Sequence, residues 1–182
     1  MKRNKIVEQI QKHSNGQIVP VSAPPRSLIT LNSVPTDRNI SEILVVPDIR
    51  SGSRGRFHLT VKTAQGGSIA AELSPTLAKS AMYQLGHALD RLKRFTKNHQ
   101  FILVGPDESQ ATGYVSDSEP GPLNVSIDIT SIGKTPKVQV LIDCGNICAL
   151  LMLSMRRAEA FAFSLEEGLR EHQLREQIDL TE

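Results

Sequence analysis

The segment Arg50-Ser51-Gly52-Ser53-Arg54-Gly55-Arg56-Phe57-His58-Leu59-Thr60-Val61-Lys62 holds the chain's best-placed residues for chemistry. A Gly/Ser loop lets Arg50 and Arg54 adapt to an anion, and the planar guanidinium fork matches phosphate oxygens in pairs. In the run that follows, Phe57, Leu59 and Val61 alternate with Arg56, His58, Thr60 and Lys62, the two-residue period of a strand. That period places Arg56, His58 and Lys62 on one solvent face. Further on, Arg91, Lys93, Arg94 and Lys97 add cations near the end of a helical pattern, and Lys2, Arg3, Lys5 and Lys12 extend the charge. Such a set suits phosphate contact, with a strong dependence on salt.

No spacing in the chain points to catalysis. His13, His58, His87, His99 and His172 are scattered, and Gly52-Ser53-Arg54-Gly55 lacks the Lys-Ser/Thr ending of a phosphate-binding P-loop. The carboxylate pairs at 107–108 and 166–167 lie on no pattern that makes them converge. Cys144 and Cys148 flank Gly145-Asn146, which reads as a tight turn, and neither His172 nor Asp143 completes a metal-ligand spacing. The expectation is two free thiols, with a hairpin disulfide or a metal as lesser alternatives. No catalytic residue, metal or cofactor is assigned.

The elements that must position these residues form an internal repeat. Leu73-Ser74 with Ala78, Leu85 and Leu89 recurs, 80 residues on, as Leu153-Ser154 with Ala158, Leu165 and Leu169. Upstream, Phe57, Leu59 and Val61 recur as Val138, Val140 and Ile142. A repeat of this length implies two copies of one supersecondary unit packed as a pseudo-two-fold pair. In the first copy, strands are expected near 41–46, 56–63 and 68–73, with a hairpin turn at Gln65-Gly66-Gly67. Ser74 then caps a helix with Pro75 at its first position and a stripe of Leu77, Ala78, Ala81, Met82, Leu85, Ala88, Leu89 and Leu92. The second copy offers a hairpin from 101–104 to 113–115, strands near 123–129, 137–143 and 147–153, and a helix from Ser154 to about Ile178. Ahead of both, Ile6, Val7 and Ile10 place a short helix over 4–13. Prolines at 20, 24, 25 and 35 make the stretch that follows an arm or a sheet edge.

The fold class is therefore α+β: two pseudo-symmetric repeats of antiparallel strands followed by one amphipathic helix, plus a short N-terminal helix and arm. The organisation expected is an arm over 1–39, a basic repeat over 40–97 and an acidic repeat over 98–182, packed as one globular body.

The charges do not repeat. Residues 1–97 carry 15 Lys/Arg against 6 Asp/Glu, and residues 98–182 carry 6 against 13. Acids in the second half cluster in loops (Asp107, Glu108, Asp117, Glu119) and along the second helix (Glu166, Glu167, Glu171, Glu176). The two halves can attract each other, or the acidic one can dock on a basic protein partner. In the last strand, Ile147 to Leu153 is apolar on both faces. One face is expected to meet its own helix and the other to be covered by the first sheet or by a second copy, which favours a homodimer. Aromatic residues are 4% of the chain, without Trp, so Tyr114 stands as the one candidate stacking platform. No apolar run approaches the ~20 residues of a membrane span, and the basic start is followed by no apolar signal segment. A cytoplasmic location without membrane association is the expectation.

Antiparallel strands followed by a helix, used twice, resemble the Whirly, Pur-alpha and PC4-like group of single-stranded nucleic-acid binders. The residues that carry the resemblance are Arg54-Gly55-Arg56-Phe57-His58-Leu59 in an early strand and the Leu-Ser helix entries at 73–74 and 153–154. It covers about residues 40–175. It implies a non-catalytic nucleic-acid binder, DNA or RNA, that contacts phosphates through the first repeat. The alternative is a protein–protein regulator or inhibitor acting through its acidic half or an apolar interface.

Overall fold

The computed structural model describes residues 29–32, 39–48, 55–99, 108–132 and 135–179. The order of elements is β1 (Ile29–Asn32), β2 (Ile40–Pro47), β3 (Phe57–Thr63), β4 (Ser68–Leu73) and α1 (Pro75–His99), then β5 (Gln110–Val115), β6 (Asn124–Ile132), β7 (Thr135–Asp143), β8 (Ile147–Leu153) and α2 (Met155–Asp179). Two four-stranded sheets result, ordered β1-β4-β3-β2 and β5-β8-β7-β6. All pairs are antiparallel. The α+β class and its two strand-then-helix units are what the periodicity predicts. The expected N-terminal helix over 4–13 and the strand over 101–104 lie outside the described residues.

The repeat governs local structure closely. Ser74 and Ser154 cap their helices alike: each Oγ accepts an N–H three residues on, at 3.2 Å, from Leu77 and Arg157. Along 75–90 and 155–170 buried, half-buried and exposed positions follow the same order, except that His87 is exposed where Glu167 is half-buried. The buried stripes, Ala78, Ala81, Leu85, Ala88, Leu89 and Leu92 against Ala158, Phe161, Leu165 and Leu169, join the inner faces of both sheets in one core.

The packing of the helices adds to the expectation for the last strand. The second helix touches β7 and β8 of its own sheet, as expected, but lies chiefly along β2 of the first, and α1 lies against β6 and β7 of the second. Hydrogen bonds fix this exchange. Gln84 on α1 donates to Val125 O (3.3 Å) and accepts from Ile127 N (3.0 Å) on β6. Its repeat partner Ser164 on α2 accepts from Val45 N (3.1 Å) on β2. Both are edge strands whose outward amides would otherwise lack partners. Periodicity reports which face of a helix is apolar but not which sheet it meets, so the exchange was invisible in the sequence.

A polar seam joins the two units on the other side. Ile40 N donates to Ser109 O, Ser154 N donates to the Ser109 hydroxyl, and Arg157 donates to the carbonyls of Ile40 and Ser41. Lys137, almost wholly buried, donates to Glu108 O at 2.8 Å. The end of the Pro-rich stretch is an edge, as expected, but Ile29 there is fully buried in the core. No helix among the described residues is long and apolar enough to cross a membrane.

Candidate nucleic-acid interface

Strand β3 alternates as its sequence requires: Phe57, Leu59 and Val61 are buried, while Arg56, His58 and Lys62 share the outer face. Each of these side chains meets a carboxylate from a neighbouring strand or strand end. Arg56 pairs with Glu72 on β4 at 2.7 Å, His58 Nε2 lies 3.2 Å from Asp48, and Lys62 pairs with Glu42 on β2 at 2.6 Å. Pairs this exposed add little stability. Their consequence is electrostatic: on the outer face of the first sheet Arg56 and Lys62 each meet a carboxylate, so a phosphate must compete with a resident acid. Arg50 and Arg54 lie outside the described residues.

The helical cations are placed differently. Arg91 pairs with Asp128 on β6 at 3.0 Å, and Lys93 reaches Glu159 on α2 at 2.9 Å, so both bind the two units together. Asp128 is held below the usual carboxylate range, first by the Ile129 amide and then by Arg91. Lys97 belongs to the last turns of α1. Arg94 and Lys79 are exposed and have no ion-pair partner among the described residues. With Tyr83 and His87 they share one outward strip, at the i, i+4, i+8 and i+15 spacing of a helical face. Tyr83 is 66% exposed, and nothing in the core requires an aromatic ring there. Its repeat partner Phe163 is 65% exposed on α2. Sequence reasoning missed both; the available signal was an aromatic residue falling off an otherwise continuous apolar stripe.

Among the other candidates, Tyr114 is exposed at the outer face of the second sheet, and Asp117 and Glu119 lie in the loop after β5. Cys144 and Cys148 are free thiols, the first buried and the second half-buried. Burial, then Asp143 and Cys144, push the Cys148 thiol up, which makes it a poor nucleophile at neutral pH. Among the described residues no cluster of His, Cys, Asp or Glu is arranged to hold a metal.

No family model, curated protein or solved structure matches the chain.

Proposed function

We propose that the protein is a non-catalytic, single-stranded nucleic-acid-binding module whose first repeat contacts phosphates. The observation that supports this most is the outward strip of α1, where the exposed Tyr83 ring lies about one turn from Lys79 and His87 and shares their face with Arg94 further along the helix. An exposed ring offers a π-face to an unpaired base, and flanking cations follow the backbone. This strip, with the basic residues Lys97, Arg50 and Arg54 that the sequence adds, takes over the role that resident carboxylates deny to Arg56, His58 and Lys62. The resemblance to the Whirly and Pur-alpha group points the same way.

The test is fluorescence anisotropy with labelled single-stranded DNA, duplex DNA and RNA, at low and near-physiological salt. The expected result is binding that weakens steeply with salt and prefers single strands. Tyr83→Ala should weaken it roughly 5- to 100-fold, since stacking on an aromatic ring contributes ~1–3 kcal/mol per base. Arg94→Ala should make the salt dependence shallower by about one phosphate contact. No binding of any probe at low salt would overturn the proposal.

A second reading, homodimerisation, is favoured by a comparison of the two sheets. Strand register equates Thr60 with Leu141, Ala70 with Leu150, Glu72 with Met152 and Ser68 with Cys148. Where the first sheet presents ion pairs outward, the second presents Leu141, Leu150, Met152 and Tyr114. An apolar sheet face of near-neutral charge suits a second copy of itself.

A further inference from the structure

The helix exchange creates two related clefts, and only one is closed. Between α1 and β6, Gln84 bonds both the Val125 carbonyl and the Ile127 amide, and Arg91 reaches Asp128 across the gap. Between α2 and β2 the equivalent residues cannot do this. Ser164 is too short to make more than the single bond to Val45 N. By strand register Val46 stands where Asp128 does, and Glu171, in the place of Arg91, pairs with Arg175 on its own helix instead. What remains is an open groove of about 470 Å³ whose apolar lining includes Val45, Val46, Pro47, Phe163 and Leu174. Phe163, Leu174 and Val46 are each more than half exposed.

We propose that this groove is the docking site of the chain's own N-terminal segment, residues 4–13, bound in cis. The first argument is charge. Over 163–178, α2 carries four Glu against two Arg, whereas the equivalent stretch of α1, 83–98, carries one Asp against Arg91, Lys93, Arg94 and Lys97. Segment 1–13 carries Lys2, Arg3, Lys5 and Lys12 against Glu8 alone, with Ile6, Val7 and Ile10 at helical spacing. It is therefore drawn to the acidic, apolar cleft and repelled from the basic one. An apolar stripe edged with cations suits a groove that is apolar at its floor and borders a helix of net negative charge, where Glu167 and Glu171 at the rim must exchange Arg170 and Arg175 for the segment's cations.

The second argument is reach. The register places Ile29, Ala71, Leu59 and Val45 in one row across the first sheet. The chain thus enters the sheet level with the groove and three strands away, about 14 Å at the ~4.8 Å strand spacing. Residues 14–28 can extend to about 50 Å, so the same copy's segment reaches the groove without strain.

The experiment uses the full chain with Ile6 or, separately, Ile10 replaced by the photoreactive benzoylphenylalanine, irradiated as an equal mixture of isotope-labelled and unlabelled protein. Mass spectrometry should place cross-links on residues 45–47 and 163–174, always within one isotopic species. Phe163→Asp, with an unchanged circular dichroism spectrum, should abolish them, and Tyr83→Asp should leave them intact. Glu171→Lys, a surface change that spares the fold, should lower the yield about fivefold, the scale of one screened charge contact. Cross-links confined to other surfaces, or none, would overturn the proposal. Cross-links to the groove between labelled and unlabelled chains would make a second copy's segment the occupant and overturn docking in cis.

Discussion

Gly55 shows how single positions hold the candidate interface in shape. It has φ +68°, and a Cβ there would stand 2.9 Å from the His172 ring of α2 and 3.1 Å from Pro75 Cγ. The same imidazole packs edge-on to Phe57, with ring centroids 5.6 Å apart. The turn into β3, the start of α1 and the far end of α2 therefore meet at a point where only a hydrogen fits. Gly66, at φ +87°, faces open space, so an alanine there bears the left-handed backbone cost of ~1–2 kcal/mol alone. Gly55→Ala adds a collision to that cost and should destabilise the fold by ~2–4 kcal/mol. Urea denaturation of the two variants separates the effects. Equal midpoints would mean that His172 swings aside freely and does not lock α2 to β3.

At the scale of elements, the reciprocal bonding of each helix to the other unit's edge strand is what turns two sheets into one core. Gln84→Ala leaves the Ile127 amide and the Val125 carbonyl without a side-chain partner at a half-covered edge, which costs about 1–3 kcal/mol. Ser164→Ala removes one acceptor and should cost nearer ~1 kcal/mol. Chemical denaturation that ranked Ser164→Ala above Gln84→Ala would show that the β2 edge, rather than the β6 edge, anchors the exchange. Most elements were legible in the sequence because local patterns define them: the Ser-capped helices, the alternation of Phe57 to Val61 and the turn at Gly66. β1 is legible in the sequence only as an arm or a sheet edge, since four residues in a Pro-rich setting hold too little pattern to show that Ile29 lies fully buried. Nor could periodicity foresee that Arg56, His58 and Lys62 would each find a carboxylate. Glu72, Asp48 and Glu42 become their neighbours only through strand pairing. The exposed strip of α1 is half legible: its cations stand out in the sequence, while Tyr83 follows directly on the buried stripe at Ala81 and Met82 and shows no pattern of its own.

At the scale of the whole molecule, one architecture is finished in two ways. The first sheet turns outward a surface of matched ions, and the second turns outward Leu141, Leu150, Met152 and Cys148 in adjoining rows beside Tyr114. A shared fold cannot require this difference, because the same register supports both surfaces. For a second copy, a two-fold contact brings the same residues together from both sides, so one substitution acts twice. Burying a leucine contributes ~1.5–3 kcal/mol, and Leu150→Lys should weaken dimerisation by roughly two to four orders of magnitude. Sedimentation velocity across a micromolar range should show a concentration-dependent dimer for the natural chain and a monomer for Leu150→Lys, both with the same circular dichroism. Ala70→Lys, the equivalent change on the first sheet, should leave the dimer intact. A natural chain that stays monomeric throughout that range would exclude the homodimer and leave the apolar face to a different protein partner. Because the proposed dimer contact and the α1 strip lie on different surfaces, Leu150→Lys should leave any nucleic-acid affinity of the strip unchanged. Loss of both properties together would mean that the binding surface is assembled from two copies.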